Sequence, residues 1–345
     1  MIHGHGDDLY KYGDKINSNF SSNIYNNFDH SALYRHISGI LPEIEHYPEP
    51  LPASLEQKLA ETLGIPAGCV MATNGATEAI YKLAQTYKDS VSYILQPTFA
   101  EYADACKECG TSIVSCRSLE DIYKRCANRE KSKGSIAAWI CNPNNPTGET
   151  LDYDRMLELI SDFPDDIFII DESYAAYTEK KLVKPEEAVR AGNVFLIRSM
   201  TKDYGVPGLR IGYVIAAELL CNRLRSSFMP WAMSQITIEA GKYLIDHSSE
   251  YDIDAHMLCK ERERMAAAFN AMNIKTYHSD SNILLCLLPE GITARSLKET
   301  LIEREGILIR DASNFEGLSE SHFRIAAQKR EMNDKLIEAI KKYII

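Results

Sequence analysis

Between residues 91 and 215 the chain alternates β-rich runs with helical stretches, and this alternation restricts its fold more than any other feature. The runs are 91–95, 137–141, 167–170, 194–197 and 211–215, and helical spacing appears at 76–86, 99–109 and 153–161. Strands and helices in that order predict a mainly parallel sheet with helices on both faces. The chemistry of such a sheet sits beyond the C-terminal ends of its strands. Polar phrases follow those ends here: QPTFAEY from Gln96, NPNNPTG from Asn142, DESY from Asp171 and RSMTKDY from Arg198. Four polar clusters are therefore expected to converge on one rim.

The pattern changes beyond residue 235 to a long helical region rich in Lys, Arg and Glu, then β-rich runs at 281–288 and 307–310 and a terminal helix from Glu331. The chain has 345 residues, more than one hydrophobic core usually organises. We expect a large α/β domain at 42–235 and a smaller α+β domain made of 1–41 and 236–345. The first forty residues are polar and too poor in apolar side chains to fold alone, so they should pack on the second unit.

Composition excludes several classes of function. With 38 basic and 49 acidic residues the net charge is −11, the wrong sign for a phosphate backbone, so nucleic acid is not an expected partner. No 18-residue apolar run and no basic leader into an apolar stretch appear, so neither membrane nor export is signalled. Nine scattered cysteines suit reduced thiols in a cytoplasm. Cys106 and Cys109 form a CxxC without a second half, and His3 and His5 stand before Asp7 and Asp8 at a chain end; neither reads as a metal site. The P-loop, GxGxxG and GxSxG phrases are absent.

The rim residues fit one chemistry. Lys202 follows a strand, with Arg210 eight residues on, and suits an aldehyde held as a Schiff base; Arg210 with the hydroxyls of Ser199 and Thr201 suits a phosphate. Asp171 ends a buried strand, a costly place unless a cation such as a protonated pyridine nitrogen faces it. Tyr174 and Asn145 can both hydrogen-bond a phenolate oxygen. Gly75, Ala76 and Thr77 open a helix whose free N–H groups attract an anion, and Phe99 offers a flat face to a ring. Together they describe a pocket for pyridoxal 5'-phosphate (PLP). Singly, each has a plain alternative: a solvated loop lysine, a helix cap, a core phenylalanine, a turn. Independent turns and caps would not all fall after successive strands.

These residues resemble the fold-type I PLP-dependent enzymes, the aspartate aminotransferase superfamily, over essentially the whole chain. Within it, PTFAEY, RSMTKDYGVPGLRIGY, MPW, ILIRDASNFEGL and FRIA look most like the L-threonine-O-3-phosphate decarboxylases of cobalamin biosynthesis. HGDD and NFSSNI are similar to that family's HGG(N) and DFSANI. Histidinol-phosphate aminotransferases, the nearest competitors, usually carry an NENP-type phrase at that point. Three positions depart from the decarboxylase pattern: Asp203 in place of an aromatic residue, Tyr25-Asn26 in place of Asn-Pro, and Gln328 where arginine is frequent.

The resemblance implies a PLP-dependent lyase or class I/II aminotransferase. Lys202 would be the Schiff-base lysine, Asp171 the partner of the ring nitrogen, and Asn145 and Tyr174 the contacts of the ring oxygen. Ala76, Thr77, Ser199, Thr201 and Arg210 would hold the cofactor phosphate. Arg324 would clamp a substrate carboxylate and Arg310 a substrate phosphate, with His5 and Asn23 beside it. Tyr47 would cross a homodimer interface to the neighbouring site. Decarboxylation of L-threonine O-3-phosphate, transamination of a phosphorylated or acidic amino donor with 2-oxoglutarate, and a non-catalytic protein that kept the PLP fold are the alternatives.

Overall fold

The computed structural model describes residues 6–129 and 134–344. Strand β1 (Ser18–Asn19) lies apart from a seven-stranded sheet made by β2 (Val70–Thr73), β3 (Val91–Leu95), β4 (Ile113–Cys116), β5 (Ile136–Cys141), β6 (Ile167–Asp171), β7 (Val194–Arg198) and β8 (Gly212–Ala216). Its order is β2-β8-β7-β6-β5-β3-β4, with only β8 antiparallel to its neighbours. The central strands are buried on both faces, which is why they read as unbroken apolar runs. Along β5 the two faces alternate residue by residue: Ile136, Ala138 and Ile140 enter one core, Ala137, Trp139 and Cys141 the other.

The five expected strands form, with ends shifted by a residue where the next side chain still pairs. Two strands of this sheet go beyond the expectation. β2 is four residues long and β4 lies at the sheet edge, half-buried along most of its length. Neither has enough apolar length to stand out from its flanks.

A second sheet of order β12-β13-β10-β9 is antiparallel throughout and comprises β9 (Lys275–Thr276), β10 (Ile283–Leu287), β12 (Arg310–Asp311) and β13 (His322–Ala326). Between them, β11 (Ile307–Leu308) pairs in parallel with β1. Helices Ala255–Asn270, Ala294–Glu305 and Arg330–Ile344 close a separate core with Phe20, Phe269, Phe323 and Leu336.

Packing departs from the expected division at residues 42 and 235. Residues 18–20 do join the second unit, where Phe20 N–H donates to the Leu308 carbonyl and the Phe20 carbonyl accepts from Ala326 N–H. The helix Ser31–Gly39, in contrast, places Leu33 in the core of the large sheet, and His36 stacks on Tyr243 at 4.5 Å. Helix Gln235–Asp246 buries Ile238, Ala240 and Leu244 in that same core. We therefore place the change of unit after Tyr251, also part of the large core. The apolar face of 235–246 was hidden by the polar residues around it.

Candidate active site

The turns after the C-terminal ends of β3, β5, β6 and β7 are tied to one another. Asn144 Nδ2 donates to the Pro97 carbonyl (2.9 Å), and Thr98 Oγ1 donates to Asn144 Oδ1 (2.9 Å), which locks the turn after β5 to the one after β3. Gly148, at φ +76°, lets that turn touch the second unit: a Cβ there would lie 2.7 Å from the Ile283 carbonyl. The clusters expected at one rim thus meet at the junction of the two sheets.

A cavity of about 240 Å³ opens there, lined by Ala76, Thr77, Phe99, Asn145, Asp171, Tyr174, Ser199, Thr201, Lys202, Arg210, Asn23 and Arg324 among others. A larger cavity of about 410 Å³ lies on the other side of Cys141 among Leu95, Tyr123, Leu151 and Leu159, and holds neither Lys202 nor Asp171.

Lys202, on the one-turn helix Met200–Asp203, donates from Nζ to the Ser22 carbonyl at 2.9 Å. Burial, helped by the nearby Arg324 charge, brings its amine down to about 8. An amine near neutrality is available as a nucleophile at physiological pH. Asp171 is 4% exposed at the end of β6. Its Oδ1 accepts from Ser173 N–H (2.9 Å) and its Oδ2 from the Tyr102 hydroxyl (2.7 Å). Burial raises its carboxyl, and those two donors together with Lys202 work against the rise.

Tyr174 Oη accepts from Asn23 Nδ2 at 3.2 Å, leaving its own proton to donate, and burial pushes that phenol up to about 12. Asn145 Oδ1 accepts from Arg324 Nη1 at 2.6 Å, so its Nδ2 is turned to other partners. Arg324 also donates to the Ser21 carbonyl. Burial first, with Arg310 beside it, lowers Arg324 to about 9, and burial lowers Arg310 to about 10.

At the start of helix Gly75–Thr86, Gly75 adopts φ +77°, and a Cβ there would lie 2.5 Å from Arg210 Nη2. The guanidinium therefore rests on the glycine, over the free N–H groups of the helix end. Thr201 Oγ1 is buried without a hydrogen-bond partner among the described residues. A cation, a helix N-terminus and an unsatisfied hydroxyl form a cradle for a phosphate, and Phe99 and Asp171 line the same cavity. These features fit PLP.

The chain matches the family described as "Aminotransferase class I and II" over residues 15–340. It belongs to the class I and II aminotransferase family. PLP is the cofactor of this family and of this chain, and the chain is an enzyme of that PLP-dependent kind. Among solved structures, this class I and II chain is similar to L-threonine-O-3-phosphate decarboxylase from Porphyromonas gingivalis, with TM-score 0.88 and 34% identity, covering 95% of this chain and 99% of that one. It is also similar to the histidinol-phosphate aminotransferase from Clostridium acetobutylicum, with TM-score 0.83 and 25% identity over 95% and 99% of the two chains. In sequence it is 26% identical, across 97% of its length, to the adenosylcobalamin biosynthesis bifunctional protein CobDQ of Leptospira interrogans, and spans 40% of that protein. These likenesses bear out the fold-type I architecture.

Of the residues singled out from sequence, Tyr47 stays out of the cavity. It is 87% exposed and packs its ring 5.8 Å from Trp231 on the outer surface. Arg310 does not line the cavity: it is the register partner of Arg324, and its Nη2 donates to Asn314 Oδ1 at 2.6 Å; His5 lies outside the described residues. Gln328 faces away from the site: its Nε2 donates to the Ile24 carbonyl (2.8 Å) and its Oε1 accepts from Asn26 N–H (3.3 Å), so it fastens the N-terminal segment to the second unit. Sequence reasoning passed over the contributions of Gly6, Asp7, Ser21, Ser22, Ser173 and Tyr102 to the cavity. The tyrosine of PTFAEY, three residues beyond Phe99 and so on the same helical face, was the available signal.

Proposed function

We propose that the chain decarboxylates L-threonine O-3-phosphate to (R)-1-aminopropan-2-yl phosphate, with Lys202 as the amine that engages the PLP aldehyde. The observation that carries this reading is buried Arg324 in the cavity that holds Lys202, with buried Arg310 as its register partner on the adjacent strand. Buried guanidiniums favour anionic ligands, and threonine phosphate has both a carboxylate and a phosphate. In this reading Arg324 takes the carboxylate and Arg310 the phosphate, with Asn23 alongside.

Bound PLP supplies a ring that draws the electron pair from the breaking bond at Cα. The protein's own groups do the rest. Asp171 holds the ring nitrogen's proton by its charge, Tyr174 and Asn145 Nδ2 donate toward the ring oxygen, and Arg210, Thr201, Ser199, Thr77 and Ala76 hold the phosphate. Lys202 keeps a proton at Nζ for delivery to Cα after carbon dioxide departs. The likeness to the Porphyromonas gingivalis decarboxylase supports this assignment.

Transamination is the second reading, supported by the likeness to a histidinol-phosphate aminotransferase. Histidinol phosphate has a phosphate and no carboxylate, so it would engage one arginine, and both would be used only by the 2-oxoglutarate acceptor. Incubating the PLP-loaded protein with O-phospho-L-threonine and no amino acceptor separates the two. Sustained carbon dioxide release with the phosphorylated amine as product is the expected result; conversion only of histidinol phosphate, and only with 2-oxoglutarate, would replace the first reading by the second.

Tyr47 and the neighbouring exposed Ile44, Met229 and Trp231 form an apolar surface suited to a second copy of the chain. We propose a cytoplasmic homodimer in which Tyr47 reaches the partner's cofactor phosphate.

A further inference from the structure

We infer that Tyr102 is a positioning residue that holds Asp171 charged and correctly turned toward the cofactor ring. This rests on the reading of Asp171 as the partner of the ring nitrogen.

Tyr102 is on the helix Glu101–Glu108, 1% exposed, with its hydroxyl 2.7 Å from Asp171 Oδ2. Packing fixes that hydroxyl from more than one side. The phenol ring stacks on Trp139 with centroids 5.9 Å apart and planes at 27°, and Phe99 meets its edge at 5.8 Å and 84°. Trp139 is held in turn by its Nε1 donating to Ser92 Oγ at 3.2 Å. The phenol therefore cannot swing away without opening the core around β5.

A buried carboxylate stays ionised only where donors replace its lost water. Asp171 draws them from two residues: Ser173, through its N–H on Oδ1 and its hydroxyl, and Tyr102, through its hydroxyl on Oδ2. Tyr102 is the donor from outside the Ser173 turn, the one on Oδ2. The other titratable groups facing Asp171 are Lys202, Tyr174, Cys141 and Glu172. Lys202 is the cation among them, and its amine is committed to the cofactor aldehyde once PLP is bound. Burial raises the Tyr102 phenol well above its ordinary range, so it remains a proton donor to Asp171 throughout the working pH range. The ring geometry links the contacts: Phe99, placed against the PLP ring, and Tyr102, placed against the carboxylate, touch each other edge to face.

Tyr102→Phe removes the hydroxyl and keeps the stacked ring. In the PLP-loaded protein it is expected to weaken cofactor retention on the order of tenfold, the loss for one hydrogen bond to a charged group. The midpoint of the pH titration of the cofactor's visible band is expected to rise, because a ring with less positive charge lets the lysine–cofactor linkage keep its proton to higher pH. Asp171→Asn should shift both quantities in the same direction and further, and Tyr102→Phe added to Asp171→Asn should change nothing more. A Tyr102→Phe protein with lowered Tm but unchanged cofactor affinity and titration midpoint would make the tyrosine structural only and overturn the inference. If Asp171→Asn also left both unchanged, the reading of Asp171 itself would fall. Should Tyr102→Phe not fold, 3-fluorotyrosine at position 102 preserves the size and sharpens the donor: a lowered midpoint supports the inference, and an unmoved one refutes it.

Discussion

Arg310 and Arg324 are direct register partners across β12 and β13, both nearly excluded from water, at 6% and 3% exposure. Burial lowers each, to about 10 and about 9. Arg324, which lines the cavity, is desolvated with the like charge of Arg310 beside it, an environment that favours an anionic ligand. Arg310→Ala is therefore expected to lower kcat/KM for a phosphorylated amino acid by about ten- to a hundredfold, the loss of a charge-assisted contact. For the unphosphorylated analogue the change should be small. Steady-state kinetics on both substrates check this, and equal losses would remove Arg310 from the substrate site.

Lys202 makes a separate prediction through stability. Its amine titrates at about 8 in the folded chain against an ordinary 10.5. Below about 8 it is charged in both folded and unfolded chains; between about 8 and 10.5 the unfolded chain binds more protons, so stability rises with pH across that window. At pH 7 the folded protein pays the full penalty, about 3 kcal/mol at about 1.4 kcal/mol per pH unit, against about 1 kcal/mol for the hydrogen bond to Ser22. Lys202→Met should thus raise the Tm of the cofactor-free protein at pH 7 while abolishing turnover and the visible band. Thermal unfolding and a spectrum after adding PLP test both halves.

The legible parts of this chain were those whose physics is local. Strands β3, β5, β6 and β7 are buried on both faces, so their apolar runs stand alone, and the polar phrases after them had to end up together on one rim. Lys202, Asp171, Asn145 and Arg210 were visible for that reason. What escaped depended on long-range contact. Tyr102 gains its meaning from Asp171, 69 residues away, and the 6–24 segment enters the cavity because Gln328 and Ala326 fasten it from the far end of the chain. The few apolar residues of the helix Ser31–Gly39 find their partners two hundred positions later, on Gln235–Asp246, so its packing is not legible locally.

Gly75 should be irreplaceable for the cofactor but not for the fold. A methyl group there would lie 2.5 Å from Arg210 Nη2 at a backbone angle of +77°, which L side chains adopt only with strain. Gly75→Ala is expected to push the guanidinium off the helix end and weaken PLP binding by on the order of tenfold or more. Cofactor titration followed by absorbance measures it, and wild-type affinity in a folded Gly75→Ala protein would separate Arg210 from the phosphate.

Arg198 Nη2 lies 2.5 Å from Glu172 Oε2, with Glu172 fully buried and Asp203, the residue after Lys202, nearby. Burial pushes both acids up to about 7, and Arg198 opposes the rise in each. Their ordinary values are 4.5 and 3.8, so between roughly pH 4 and 7 the folded chain binds more protons than the unfolded one. This cluster's contribution to stability is therefore complete at the acid end and is lost as pH rises toward 7. Removing the cation makes the loss steeper. Arg198→Met leaves both acids without the cation that opposes their rise, a change worth about 3–5 kcal/mol at pH 8. At pH 5 the acids take protons and the variant recovers, while the wild type now buries an arginine with less opposing charge. The difference in Tm between wild type and Arg198→Met should shrink from pH 8 to pH 5, measured on the cofactor-free proteins. A difference independent of pH would mean that Arg198 stabilises the chain by packing alone and that the two acids titrate without reference to it.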